Sequence, residues 1–317
     1  MKAKTIKATI EAKFEDWLKS IEDTKVRELA KNNTIISGGC IASMLLQEDV
    51  NDFDVYFRNL ETTQAIAEYY VHRFEPPKVA GEVACPTIVY VETMVDGSKR
   101  VKIGIKSSGI AGSTRPNRNY AYFESLPDGE AGKYLAGVLD NPADIEDAHE
   151  ALQDETSKSK GGAKYTPLYL TSNAITLWGK VQIVLRFFGE PDEIHANFDY
   201  VHCTNYWTSW DKQLVLRPGA LEMLLTRELR YVGSRYPICS IIRMRKFIRR
   251  GWTINAGQVL KMCFQVGALD LTDISVLEEQ LTGVDAAYFV QLVDRLREKD
   301  ASKVDSAYLI ELVDRIF

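Results

Sequence analysis

Ile35-Ile36-Ser37-Gly38-Gly39-Cys40, followed twelve residues after the glycine pair by Asn51-Asp52-Phe53-Asp54-Val55-Tyr56-Phe57, leaves few folds open to this chain. Thr34 to Ser37 is short, β-branched and apolar, as a buried strand requires. The glycine pair lets the backbone turn sharply and approach a ligand with no β-carbon in the way. Ile41-Ala42-Ser43-Met44-Leu45-Leu46 then reads as a short helix. Its free N–H groups would point over the glycines, where a phosphate is favoured.

The second half of the stretch supplies charge. Side chains alternate along a strand, so Asp52 and Asp54 share one face and Phe53 and Val55 take the other. Two neighbouring carboxylates repel unless a cation neutralises them. A pair of Mg²⁺ ions holding a nucleoside triphosphate is the expected remedy. An Asp-x-Asp by itself also suits a solvated edge strand; it is the coupling to Gly38-Gly39 at this spacing that sharpens the reading.

Together, Gly38-Gly39, the twelve-residue interval and Asp52-Phe53-Asp54-Val55 resemble the signature of the polymerase-beta-like nucleotidyltransferase superfamily. That group includes CCA-adding enzymes, poly(A) polymerases and several toxin and antibiotic-modifying transferases. The resemblance implies that Asp52 and Asp54 bind two Mg²⁺ ions. It also implies that Ser37, Gly38 and Gly39 contact the phosphates of an NTP such as ATP.

The rest of the chain offers elements that can surround this stretch. Ile10, Phe14, Trp17, Leu18 and Ile21, then Val26, Leu29 and Ala30, fall at helical spacing and predict a helix pair behind the sheet. Glu61 to Phe74 reads as a helix with Ile66, Tyr69, Tyr70 and Phe74 inward. Thr87–Val91 and Arg100–Ile105 read as strands joined by a turn at Asp96-Gly97. Residues 107–165 are polar, turn-rich and in part acidic, and are expected to form an insertion; its Arg115 and Arg118 either reach toward phosphate or lie in a solvated loop. Tyr169–Leu177 and Val181–Phe187 are expected to form a hairpin through Trp178-Gly179-Lys180, and Pro191 opens a short helix.

Phe198–Cys203 reads as a further strand, with Asp199 the acid inside it and His202 on its other face as a core histidine with a satisfied ring. The superfamily resemblance offers Asp199 the part of a third carboxylate that activates the acceptor hydroxyl. The alternative is a structural hydrogen-bond acceptor or cap, and Glu190 and Asp192 are its substitutes in the catalytic part.

A second resemblance lies in Tyr236-Pro237 through Gly251-Trp252. It is similar to the helix after the catalytic head of CCA-adding enzymes and bacterial poly(A) polymerases, where the pattern is a proline, spaced arginines, Arg-Phe and a terminal Gly-aromatic. Arg243, Lys246 and Arg250 share one helical face. Between Arg227 and Arg250 stand eight basic residues and one acid, Glu228, which in an acidic protein suggests a place for triphosphate or nucleic-acid backbone. Where CCA-adding enzymes place Arg-Asp after the glycines, this chain has Ala42-Ser43, and it has no copy of their Glu-Asp-x-x-Arg element. The resemblance thus supports nucleotidyl transfer more strongly than CCA addition.

A net charge of −5 excludes a surface coated in basic residues. Five scattered cysteines with no Cys-x-x-Cys fit reduced thiols in a cytoplasmic protein and give no zinc site. No apolar run approaches membrane-spanning length, and no signal peptide is visible. Gln258–Val266 is expected to be a mostly buried helix. Val284–Leu296 and Val304–Ile316 agree at eight of thirteen positions, a helical repeat expected to bind a protein partner or cap the body.

The expected architecture is α+β. It consists of N-terminal helices (1–30), a nucleotidyltransferase-type mixed sheet flanked by helices (31–216, insertion 107–165) and an all-α C-terminal domain (217–317). The expected reaction moves an NMP from an NTP to an acceptor hydroxyl, foremost an RNA 3′ end such as that of tRNA. The alternatives are nucleotidylation of a protein or small molecule, and a non-catalytic nucleotide- or RNA-binding module.

Overall fold

The computed structural model describes residues 1–74, 88–94, 97–104, 110–111 and 164–271, together with Val276 and Gln280. Arg115, Arg118, most of the insertion and the C-terminal repeat lie outside the described residues. Among those described, the chain is an α+β protein built on one mixed sheet.

Helices α1 (Ala3–Ser20) and α2 (Thr24–Asn33) lead into β1 (Thr34–Ser37), α3 (Gly39–Leu46), β2 (Phe53–Phe57) and α4 (Leu60–Arg73). The hairpin β3 (Val89–Thr93) and β4 (Lys99–Ile103) follows, then β5 (Ile110–Ala111), β6 (Pro167–Leu170), β7 (Ala174–Leu177) and β8 (Val181–Phe188). Helix α5 (Pro191–His195), a 3₁₀ turn (Val201–Cys203), β9 (Tyr206–Thr208) and β10 (Leu214–Val215) come next. The described chain ends with α6 (Pro218–Thr226), β11 (Glu228–Leu229), α7 (Pro237–Arg249), β12 (Thr253–Ile254) and α8 (Ala256–Val266).

Local chemistry sets these boundaries. The Asp23 carboxylate accepts from the N–H groups of Lys25 and Val26 at 2.8 and 3.1 Å and starts α2. Asn59 does the same for α4 through Thr62 at 2.9 Å. Pro191 sits in the first turn of α5, where its missing N–H costs nothing, and Glu190 and Glu193 form a capping box.

The main sheet runs β10-β9-β1-β2-β8-β7-β6-β5. Its pairs are antiparallel except β2 with β8, which are parallel. The β3–β4 hairpin forms as expected but stands as a separate two-stranded sheet. Tyr169–Leu177, read as one strand, is two: Thr171–Asn173 turn the chain between β6 and β7, with Thr171 N–H donating to the Ala174 carbonyl at 2.9 Å.

One sheet face carries Ile36, Val55, Phe57, Ile183, Leu185 and Trp207, which pack with Ile6, Ile10, Phe14 and Trp17 of α1 and Ile66 and Tyr70 of α4. Inside this core the Trp17 indole donates to the Tyr70 hydroxyl at 2.8 Å. Each of these large side chains contributes about 1.5–3 kcal/mol by leaving water. Because residues alternate, the same strands turn Ile35, Asp54 and Tyr56 to the opposite face. There Ile35 and Tyr56 pack under Ile194 of α5.

Two further expectations differ from the structure. Phe198–Cys203 is not a strand: Tyr200 makes an isolated bridge to Tyr231, and the next three residues close a 3₁₀ turn. Helix α8 is not mostly buried; Met262 is its buried residue, while Leu260 and Phe264 are exposed. No helix among the described residues is long and apolar enough to cross a membrane.

Candidate active site

Register brings the two halves of the signature together. Antiparallel pairing of β1 with β2 sets Ser37 opposite Asp54, so the residue before the glycines and the second aspartate share a sheet face. Gly38 adopts φ 93°, a conformation open to glycine and strained for other residues. A β-carbon there would stand 2.6 Å from Oδ2 of Asp54, so the aspartate carboxylate lies against the glycine backbone. At Gly39 nothing lies within 4 Å of the corresponding point, which leaves the surface over the first turn of α3 open. The Gly38 N–H is already taken by the Cys203 carbonyl at 3.2 Å. The amides able to meet an anion therefore begin at Gly39.

Asp52 immediately precedes β2 and is half-buried, as is Asp54. Crowding by protein atoms, then the charge of Asp52, push the Asp54 carboxyl well above the usual range, while Arg243 opposes the shift. The pair is thus close enough to interact. Among the described residues no group of three or more His, Cys, Asp or Glu side chains is placed to hold a metal. The donors on offer to a cation here would be the two carboxylates. That set fits a hard divalent ion that completes its shell with water and substrate phosphate oxygens.

Asp199 comes in from the segment before the 3₁₀ turn, and its carboxylate accepts from the Arg243 guanidinium in an ion pair. The Asp199 side chain is 11% exposed and that of Arg243 is 42% exposed, so the arginine keeps one side toward solvent. Asp199 holds the guanidinium charged, and raises its pKa. Helix α7 therefore delivers one of its expected cations to the acids. Lys246 is half-buried. Arg250 stands exposed at the end of α7, where its carbonyl accepts from Arg227 at 2.9 Å.

The Ser37 hydroxyl, expected to face phosphate, is instead wholly buried. It donates to the Asn205 carbonyl at 2.9 Å and lies 2.8 Å from Nε2 of His195. With its one proton committed to the carbonyl, the hydroxyl must accept, so Nε2 of His195 carries the ring hydrogen. Burial lowers the His195 pKa to about 4 and keeps the ring neutral. Ser37 thus fixes the end of β1 instead of touching the open surface.

His202 is a core residue as expected, but its ring is not satisfied: neither nitrogen has a hydrogen-bond partner among the described residues. The rings of Phe247 and Trp252 lie 4.5 and 4.4 Å from it, and burial lowers its pKa to about 4. Glu190 and Asp192, the substitutes for Asp199, are paired with Arg58 and Arg217 respectively.

A cavity of about 590 Å³ lies beside the 3₁₀ turn, lined by His195, Val201, Thr204, Arg217 and Gly219 among others. It contains none of Gly38, Asp52, Asp54 or Arg243.

Sequence reasoning overlooked His195, Lys13 and Lys180. Their contacts to Ser37, Gly179 and Val50 bridge 158, 166 and 130 residues, so no local pattern announces them.

Among solved structures the chain is similar to "Structure of tRNA-processing enzyme with CTP", at 12% identity and a TM-score of 0.36, over 91% of this chain and 57% of that one. It is also similar to the Bacillus stearothermophilus CCA-adding enzyme in complex with CTP, at 12% identity and a TM-score of 0.36, over 90% and 52%. The Thermotoga maritima CCA-adding enzyme complexed with tRNA matches at 14% identity and a TM-score of 0.36, over 95% and 53%. The chain spans about half the length of these proteins. No curated protein matches it significantly. A family model described as "Gabija anti-defense 2 family protein" matches residues 8–227.

Proposed function

The chain belongs to the Gabija anti-defense 2 family, and on that premise we propose that it counters the Gabija defence as a metal-dependent nucleotidyltransferase. The observation that supports the catalytic part is the seating of the Asp54 carboxylate against Gly38, with Asp52 coupled to it and the charge of Arg243 felt there.

Asp52 and Asp54 would hold two Mg²⁺ ions, which when bound neutralise the triphosphate and favour ionisation of the attacking hydroxyl. Every other part belongs to the chain itself. The open first turn of α3 at Gly39 offers backbone N–H groups to phosphate oxygens. Arg243 turns from Asp199 toward the β- and γ-phosphates as charge builds on the leaving pyrophosphate, with Lys246 and Arg250 extending the basic face outward. Asp199, released by that movement, becomes free to take the proton of the acceptor hydroxyl. The acceptor is an RNA 3′ hydroxyl, such as that of tRNA.

The family's name favours a second reading, in which the acceptor is a hydroxyl on a protein of the defence itself. Incubating the purified protein with each α-labelled NTP, Mg²⁺ and an extract of cells carrying Gabija separates the two. Label in RNA supports the first reading and label in protein the second. Retention of nucleotide without transfer, alongside undiminished anti-defence action, would overturn the catalytic proposal and leave a binding module.

A further inference from the structure

We propose that Lys180 is a positioning residue for Asp52, gripping the segment that carries it at both ends; the inference rests on the nucleotidyl-transfer reading above. The Lys180 ammonium donates to the carbonyl of Val50 at 3.1 Å. The Lys180 carbonyl accepts from the N–H of Phe53 at 2.9 Å. Asn51 and Asp52 thus hang between two attachment points that both belong to one residue.

The backbone of residue 180 argues that its side chain is there for a purpose. Lys180 has φ 60°, and the preceding Gly179 has φ 89°, so the turn is left-handed at both positions. Glycine or asparagine adopts this conformation more cheaply than lysine. What lysine adds over glycine here is a long side chain that reaches Val50.

The turn is also fixed from behind, as an anchor must be. Lys13 of α1 donates to the Gly179 carbonyl, and its ammonium lies 5.3 and 5.5 Å from the ring centres of Phe53 and Tyr165. Gly179 itself rests on Tyr165: a β-carbon there would stand 3.0 Å from that ring. The need for a grip is positional. Asp54 lies within β2, whereas Asp52 stands in the lead-in to that strand. Lys180 fixes the backbone on either side of that lead-in.

The test uses the full chain and the probe Mn²⁺ with inorganic tripolyphosphate, with binding read by water-proton relaxation. Lys180→Gly relieves the backbone while removing the grip, Lys180→Arg keeps a donor of similar reach, and Lys25→Met is a distant control. Lys180→Gly is expected to weaken binding roughly tenfold or more, as is usual when support for a metal ligand is lost. It should do so with an unchanged or higher melting temperature, and Lys180→Arg should restore most of the affinity. The sign is diagnostic: a lysine acting only as a nearby charge repels Mn²⁺, so its removal would tighten binding. Tighter or unchanged binding in Lys180→Gly overturns the inference and leaves the nucleotidyl-transfer reading intact. Binding by the wild-type protein that does not depend on Asp52, checked with Asp52→Asn, overturns both.

Discussion

Gly38 and Asp54 share one small volume: a β-carbon on residue 38 would fall 2.6 Å from Oδ2 of the aspartate, closer than real side chains approach. Gly38→Ala must therefore displace the carboxylate as well as strain a backbone at φ 93°. It should cost about 1–3 kcal/mol of stability and reduce nucleotidyl transfer by roughly 100-fold. Truncating the partner removes the clash, so Gly38→Ala should cost less in an Asp54→Ala background than in the wild type. A double-mutant cycle in urea measures that coupling.

Asp54→Asn separates stability from function. The folded protein raises the Asp54 pKa, so it binds a proton more readily there than the unfolded chain does. Stability from this group is therefore greatest at low pH and is lost as pH rises toward the folded pKa. At neutral pH the amide relieves that penalty. The variant should melt higher by about 2–4 °C for each kcal/mol relieved, and the gain should shrink on acidification. Calorimetry at pH 7.5 and pH 4 checks both.

Arg243 and Asp199 should behave as a unit in the resting protein. Arg243→Gln leaves a carboxylate that is 11% exposed without its cation, and should cost about 1–3 kcal/mol, less than a fully buried pair because the arginine is 42% exposed. Asp199→Asn should keep nucleotide affinity within a few-fold while slowing turnover by about 10²–10⁴-fold, the usual scale for a lost general base. Arg243→Gln should instead weaken nucleotide binding. Equilibrium binding set beside single-turnover rates distinguishes the two.

His195 and His202 make the fold sensitive to acid. Burial lowers both pKa values to about 4, so between the ordinary value near 6.5 and about 4 the unfolded chain binds protons that the folded one refuses. Their stability contribution is full above pH 6.5 and is lost as pH falls toward 4. His202→Phe, placed among Tyr200, Phe247 and Trp252, should recover roughly 2–3 kcal/mol of the loss at pH 4. Urea titrations at pH 7.5 and pH 4 give the comparison.

The β1–α3–β2 unit was legible because its information is local. A strand, a glycine pair and alternating aspartates specify their own geometry within two dozen residues, and β1–β2 pairing then sets Ser37 opposite Asp54. The segment at Phe198–Cys203 was misread for the opposite reason. Its aromatic and β-branched residues have strand propensity, but the N–H groups of Cys203 and Thr204 fold back onto the carbonyls of Tyr200 and Val201 and close a 3₁₀ turn, whose Cys203 carbonyl accepts from the Gly38 N–H. Helix α8 was located and its burial missed, since apolar composition cannot say whether Leu260 and Phe264 find cover. The superfamily resemblance offers Ser37 as a phosphate contact, but the fold gives its hydroxyl to His195 and Asn205.

The central claim is that Asp52 and Asp54 together carry nucleotidyl transfer. Pyrophosphate release from each NTP, measured in Mg²⁺ and in EDTA with cell extract supplying acceptors, tests it most directly in the wild type, Asp52→Asn and Asp54→Asn, all shown to be folded by circular dichroism. Metal-dependent release by the wild-type protein is expected, with a fall of about 10³-fold or more, some 4 kcal/mol of barrier, in each variant. Release that persists at the wild-type rate in Asp54→Asn, or that is absent from the wild type with every nucleotide, would contradict it.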